Sequence, residues 1–128
     1  MDWKLAGLVA LGGAVGSAAR YAMSGWATRG DFPVGTLVVN VVGCFLIGLV
    51  LFGGSAGNWL GPQSRVLLGV GVLGGFTTMS TFTYETVRLA EEAAWGLVTI
   101  NLAGTIAACL AGTWLGRAAG LALWSGGV

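Results

Sequence analysis

Residues Gly74 to Glu85 read GGFTTMSTFTYE, and they follow a run, Val66 to Leu73, that is ordinary apolar helix in composition. Two adjacent glycines weaken a helix, and the hydroxyls of Thr77, Thr78, Ser80, Thr81 and Thr83 compete for its backbone hydrogen bonds. The pattern predicts a broken helix. In lipid, irregular backbone survives only where it is buried in protein or lines a cavity. A break here therefore points to an ion or substrate site, with a plain kink braced by Ser and Thr as the simpler alternative. Freed carbonyls suit a cation. Hydroxyls, an amide such as that of Asn40, and the positive ring edge of Phe82 suit a small anion.

The surroundings put this segment in a membrane. Of 128 residues, 55% are hydrophobic, 9% are charged and 24 are glycine, outside the range of an ordinary soluble domain. A spanning helix needs about 20 mostly apolar residues, and the intervals between charges supply four. Leu5 to Ala19 is lengthened to the interfaces by Trp3 and the stems of Lys4 and Arg20. GGSAGNWLGP trims the interval Phe32 to Ser64 back to Gly35 to Phe52; Val66 to Tyr84 and Ala93 to Gly116 complete the set. Pro33 and Pro62 precede helices two and three, where a missing N–H costs little. The expected fold class is all-α integral membrane: one transmembrane domain over residues 1–128, with helices at about 3–23, 35–52, 64–90 and 93–117 and no room for a soluble domain.

The start, MDWKLAGLVALGG, lacks the basic opening and small-residue cleavage site of a secretory signal and is read as helix one itself. Cys44 and Cys109 fall in mid-helix and read as small packing residues, without a disulfide or a metal. Trp3, Trp26, Trp59, Trp95, Trp114 and Trp124 lie near helix ends, as an interfacial belt requires.

Four spans put both termini on one side, together with Lys4, Arg65 and Arg117; the other side holds Arg20, Arg29 and Arg88. Basic residues normally fix orientation, and three against three fix nothing. The tie predicts insertion in both directions, so that a chain can pair with an inverted copy of itself. Position-specific effects or a partner that breaks the tie are the alternative. Small residues favour close association: Gly12 and Gly16 in helix one, and Gly104, Ala108, Gly112 and Gly116 in helix four. Two polar rows run at the same spacing, Thr36, Asn40, Cys44 and Gly48 in helix two and Asn101, Thr105, Cys109 and Thr113 in helix four. Interhelical hydrogen bonds, about 0.6 to 2 kcal/mol each, explain one or two such residues better than aligned rows.

Three blocks, GGAVGSAARY at Gly12 to Tyr21, GTLVVNVVGCFLIG at Gly35 to Gly48 and GGFTTMSTFTYE, together resemble the Fluc (CrcB-type) fluoride channel family in order and spacing. The resemblance implies an antiparallel, dual-topology homodimer in the cell inner (plasma) membrane, exporting fluoride through two pores and conferring fluoride resistance. By the same resemblance, the backbone carbonyls of Gly74 and Thr77 from both subunits hold a structural Na⁺. Asn40 corresponds to the family's pore asparagine, Phe82 to one phenylalanine of its paired aromatic box, and Ser80, Thr81, Asn101 and Thr105 to polar positions along the fluoride path. Arg20 matches the arginine ending helix one, where it either draws anions into a vestibule or snorkels; Glu85 matches an acidic position where pairing with a base is the plainer role.

The family's usual TTFSTF is TTMSTF here, so Met79 takes the place of the first box phenylalanine and leaves Phe82 as the aromatic contact. Cys109, a weak donor, stands where the family has a hydroxyl. Fluoride is small and tightly hydrated, so a pore must replace its water with many weak donors and avoid a deep fixed cation that would hold it. The deep segments have donors without charge. With histidine absent and no nucleophile–base pair, ligand cluster or phosphate loop, no enzyme is expected, and nucleic acid is not an expected partner. The rival reading is a proton-coupled small multidrug exporter, which needs a membrane-embedded carboxylate; Glu85 lies toward an end of helix three.

Overall fold

The computed structural model describes residues 2–27 and 30–124. Among them there is no strand, and four helices are long and apolar enough to cross a membrane: α1 (Trp3–Ala27), α2 (Val34–Ala56), α3 (Pro62–Glu91) and α4 (Trp95–Trp124). Arg29, one member of the basic-residue balance, lies outside the described residues. Pro62 occupies the first turn of α3, where its ring fits and no N–H is needed. The α3–α4 turn closes on Ala93, whose left-handed φ of 54° lets the Ala94 N–H reach the Leu89 carbonyl at 2.9 Å. Stretches of wider π-helix occur in the last three spans, at Gly48–Phe52, Val66–Leu73 and Ile100–Gly104.

The helices pack in two pairs, α1 against the first part of α3 and α2 against α4, with α1 also touching α2. Lipid is as apolar as leucine, so close backbone approach, not burial from water, holds such pairs. Gly16 shows how close: a Cβ there would fall onto the Val72 carbonyl oxygen and within 2.8 Å of the Phe76 N. Gly116 does the same for α4, where a Cβ would lie on the Phe45 oxygen and 2.9 Å from the Leu49 N. Gly104 does not join this seam, since the nearest atom to its Cβ position is Ile100 Cγ2 at 3.9 Å. A step of four residues overshoots a helical turn by about 40°, so a stripe drifts off its face within a few steps. Gly112, Gly116 and Gly120 are the buried glycines of α4.

Few large side chains are buried: Val39, Leu60, Leu73, Phe76, Phe82 and Leu89. Trp3, Trp26, Trp59, Trp95 and Trp114 are exposed, as side chains facing lipid or its interface must be. Trp59 and Trp124 meet at 5.1 Å between ring centroids where α2 ends beside the end of α4.

Candidate functional site

Within α3 the helical conformation lapses at two residues. Thr77 has φ −77° and ψ 159°, Thr78 has φ −149° and ψ 118°, and helix resumes at Met79. Thr78 caps the resumed helix: its Oγ1 accepts from the Thr81 N–H at 3.2 Å, as a threonine at a helix N-terminus does.

Asn40 reaches across from α2 and takes both main-chain groups of Thr78. The Thr78 N–H donates to Asn40 Oδ1 at 2.8 Å, and Asn40 Nδ2 donates to the Thr78 carbonyl at 3.0 Å. In an unbroken helix that N–H would bond the Gly74 carbonyl, four residues back. The Thr81 N–H, which would bond the Thr77 carbonyl, is likewise claimed by Thr78 Oγ1. Side-chain competition thus relieves two carbonyls of their helical donors, those of Gly74 and Thr77. Thr77 O receives Arg20 Nη1 at 3.5 Å, a weak contact at best. Gly43, one turn beyond Asn40, makes room for the loop: a Cβ there would overlap the Thr77 methyl and approach Phe76 Cδ1 to 3.2 Å.

Two cavities share Thr78 as a lining residue. On one side, a polar space of about 260 Å³ is lined by Ser17, Arg20, Tyr21 and Ser24 of α1, Thr36 and Val39 of α2, and Thr78 and Thr81 of α3. On the other, a groove of about 350 Å³ runs between α2, α3 and α4, lined by Asn40, Cys44, Thr77, Thr78, Met79, Phe82, Ile106, Cys109, Leu110 and Thr113. Among the described residues, Arg20 is the only charged side chain lining either one. Phe82 is 4% exposed, whereas Met79 at 69% exposed forms the rim.

Of the residues singled out in the sequence, the fold gathers Asn40, Met79 and Phe82 around the groove and Arg20 and Thr81 around the polar space. Asn101 and Thr105 line neither. Both are buried; Asn101 Nδ2 donates to Thr86 Oγ1 at 2.9 Å and its Oδ1 accepts from Thr105 at 3.4 Å, which ties α4 to the second part of α3. Ser80 is exposed, with its Oγ 3.3 Å from Thr78 Oγ1. Glu85 sits beside Asp31 and Arg88 and accepts from Thr36 Oγ1 at 2.8 Å through Oε1, while its buried Oε2 has no hydrogen-bond partner. Arg88 pairs with Glu92 at 3.2 Å. Ser17, Tyr21, Ser24, Gly43 and Thr86 are additional contributors. The first three recur with Arg20 at helical spacing, a signal present in α1 but masked by its small residues. Gly43 carries no such signal.

An interrupted helix that borders two cavities, carried on four helices long and apolar enough to cross a membrane, defines a multi-pass membrane protein with polar groups gathered at the interruption. The chain belongs to the CrcB-like family: the family model described as "CrcB-like protein, Camphor Resistance (CrcB)" matches residues 7–117. It is 40% identical to the fluoride-specific ion channel FluC 1 of Methanosarcina acetivorans, over 91% of this chain and 90% of that one. It is 46% identical to the fluoride-specific ion channel FluC of Geobacter metallireducens, over 84% and 90%, and 42% identical to that of Opitutus terrae, over 90% and 91%. These relatives are named as ion channels, not enzymes.

Proposed function

We propose that this chain is a fluoride-selective channel that exports F⁻ across the cell inner membrane. The observation that carries the reading is the pair of cavities on either side of Thr78, which lines both, supplied with neutral donors and with Arg20 bordering the polar one. Arg20 attracts the anion into the polar space, where the Ser17, Ser24, Thr36 and Thr81 hydroxyls replace part of its water. Past Thr78 it meets the amide hydrogen that Asn40 does not spend on Thr78, and then the edge of Phe82. Met79 shapes the rim without offering a ring edge. Because no fixed charge stands in the groove, nothing traps the ion there.

The functional unit is an inverted homodimer with two such routes, supported by the balanced basic residues and by Gly74, exposed on the surface of the single chain at the interruption. Gly74 and Thr77 of each copy would hold one structural Na⁺, and the relief of both carbonyls from helical donors fits that use. One chain offers two such oxygens; four from facing copies make a cage that offsets the cost of burying a cation. When bound, the ion supplies the positive charge against which both interruptions close, and it stays in place.

A channel moves net charge. From liposomes loaded with potassium fluoride, efflux must therefore wait for a potassium ionophore, and full-rate efflux without one would mean coupled, electrically silent transport and would sink the reading. A C-terminal tag should be reachable from both faces of the membrane.

A further inference from the structure

The groove contains three sulfur atoms that the anion route does not require, from Cys44 on α2, Cys109 on α4 and Met79 on α3. Both cysteines are free and partly accessible. They line it from facing helices, and α2 and α4 approach so closely at Gly112, one turn beyond Cys109, that a Cβ there would lie 3.8 Å from Cys44 Cβ. The packing role assigned to them from sequence does not need both to open onto one cavity.

We propose that Cys44 and Cys109, with Met79 at the rim, form a binding site for a soft, thiophilic metal ion of the Cu⁺, Ag⁺ or Hg²⁺ class, and that a bound ion plugs the groove. Thiolate and thioether donors select soft ions. Zinc is a poor fit because it takes four ligands, and the groove offers two thiols and one thioether. For Hg²⁺ the step is an exchange: two S–H bonds break, two S–Hg bonds form and two protons leave, with no change of oxidation state. The product is neutral overall, which suits a groove lined by Phe82, Ile106 and Leu110. The binding site stands on the cysteines alone; the block of transport rests on the reading of the groove as the fluoride route.

Full-length protein in liposomes would be titrated with mercuric nitrate while free thiols are counted and thiolate-to-mercury absorption is followed. The expected result is two thiols consumed per Hg²⁺, ending at one ion per chain. Cys44→Ala and Cys109→Ala should each consume one thiol per ion and release it to at least about tenfold less competing monothiol, since they lack the second ligand. One thiol per ion in the parent protein, or equal release from parent and variants, overturns the site. Fluoride efflux from the parent should fall at least about tenfold at one equivalent and recover on adding excess dithiol. Should thiol counts hold while efflux is unchanged, the metal site stands and the route through the groove fails.

Discussion

Asn40→Ala tests the link between the α2 asparagine and the interruption of α3. The substitution removes two hydrogen bonds at once, the 2.8 Å bond from the Thr78 N–H and the 3.0 Å bond to the Thr78 carbonyl. Thr78 and Asn40 are only 7% and 9% exposed. Interhelical bonds in lipid are each worth about 0.6 to 2 kcal/mol, less than their gross strength because the unfolded helices also find partners. Two give a loss of about 1 to 4 kcal/mol. The transport cost is separate: one missing donor to a partly dehydrated anion needs to add only about 1.4 kcal/mol to the barrier to slow flux tenfold. Unfolding in mixed SDS micelles reads the first quantity, and fluoride efflux per folded protein reads the second. A variant with stability within about 0.5 kcal/mol of the parent would refute the bracing of Thr78, and a folded variant that passes fluoride at the parent rate would refute the place of Asn40 on the route.

Phe82→Ile should also slow efflux at least about tenfold while leaving the proposed dimer intact on size exclusion, and Met79→Phe should keep the protein conducting, since Met79 borders the groove only at its exposed rim. Gly116→Ala forces a Cβ against the Phe45 oxygen and to 2.9 Å from the Leu49 N, so α2 and α4 must part, costing roughly 1 to 3 kcal/mol in the same SDS assay; Gly25→Ala, with open space around it, should cost nothing. Glu85→Gln keeps an oxygen to accept from Thr36, so efflux should persist with an unaltered pH profile; an abolished flux would instead favour carboxylate-driven proton coupling.

The four spans were legible because lipid imposes a length on apolar runs, and the charges at Lys4, Arg20, Arg65, Arg88 and Arg117 punctuate them. The family was legible because three motif blocks stand in order. What a given polar side chain does inside the bundle was less so. Spacing puts Asn40 on a polar row but says nothing of Thr78, 38 residues away, whose backbone takes most of its carboxamide. Asn101 and Thr105 share a row with Cys109 and Thr113, yet within one chain the first two clasp each other and Thr86 while the last two open onto the groove. A row at four-residue spacing winds around the helix by about 40° per step, and only the neighbours it meets decide which members face a cavity. Gly43 was invisible for a related reason: its value lies in the Thr77 side chain that fills the space it leaves.

The central claim is that neutral donors around Thr78 carry fluoride and not larger halides. Purified protein reconstituted into liposomes, with fluoride and chloride electrodes reading release after a potassium ionophore is added, tests it most directly. Rapid fluoride release with chloride retained is the result predicted; fluoride retained in the presence of folded protein, or chloride released alongside it at a similar rate, would contradict the account.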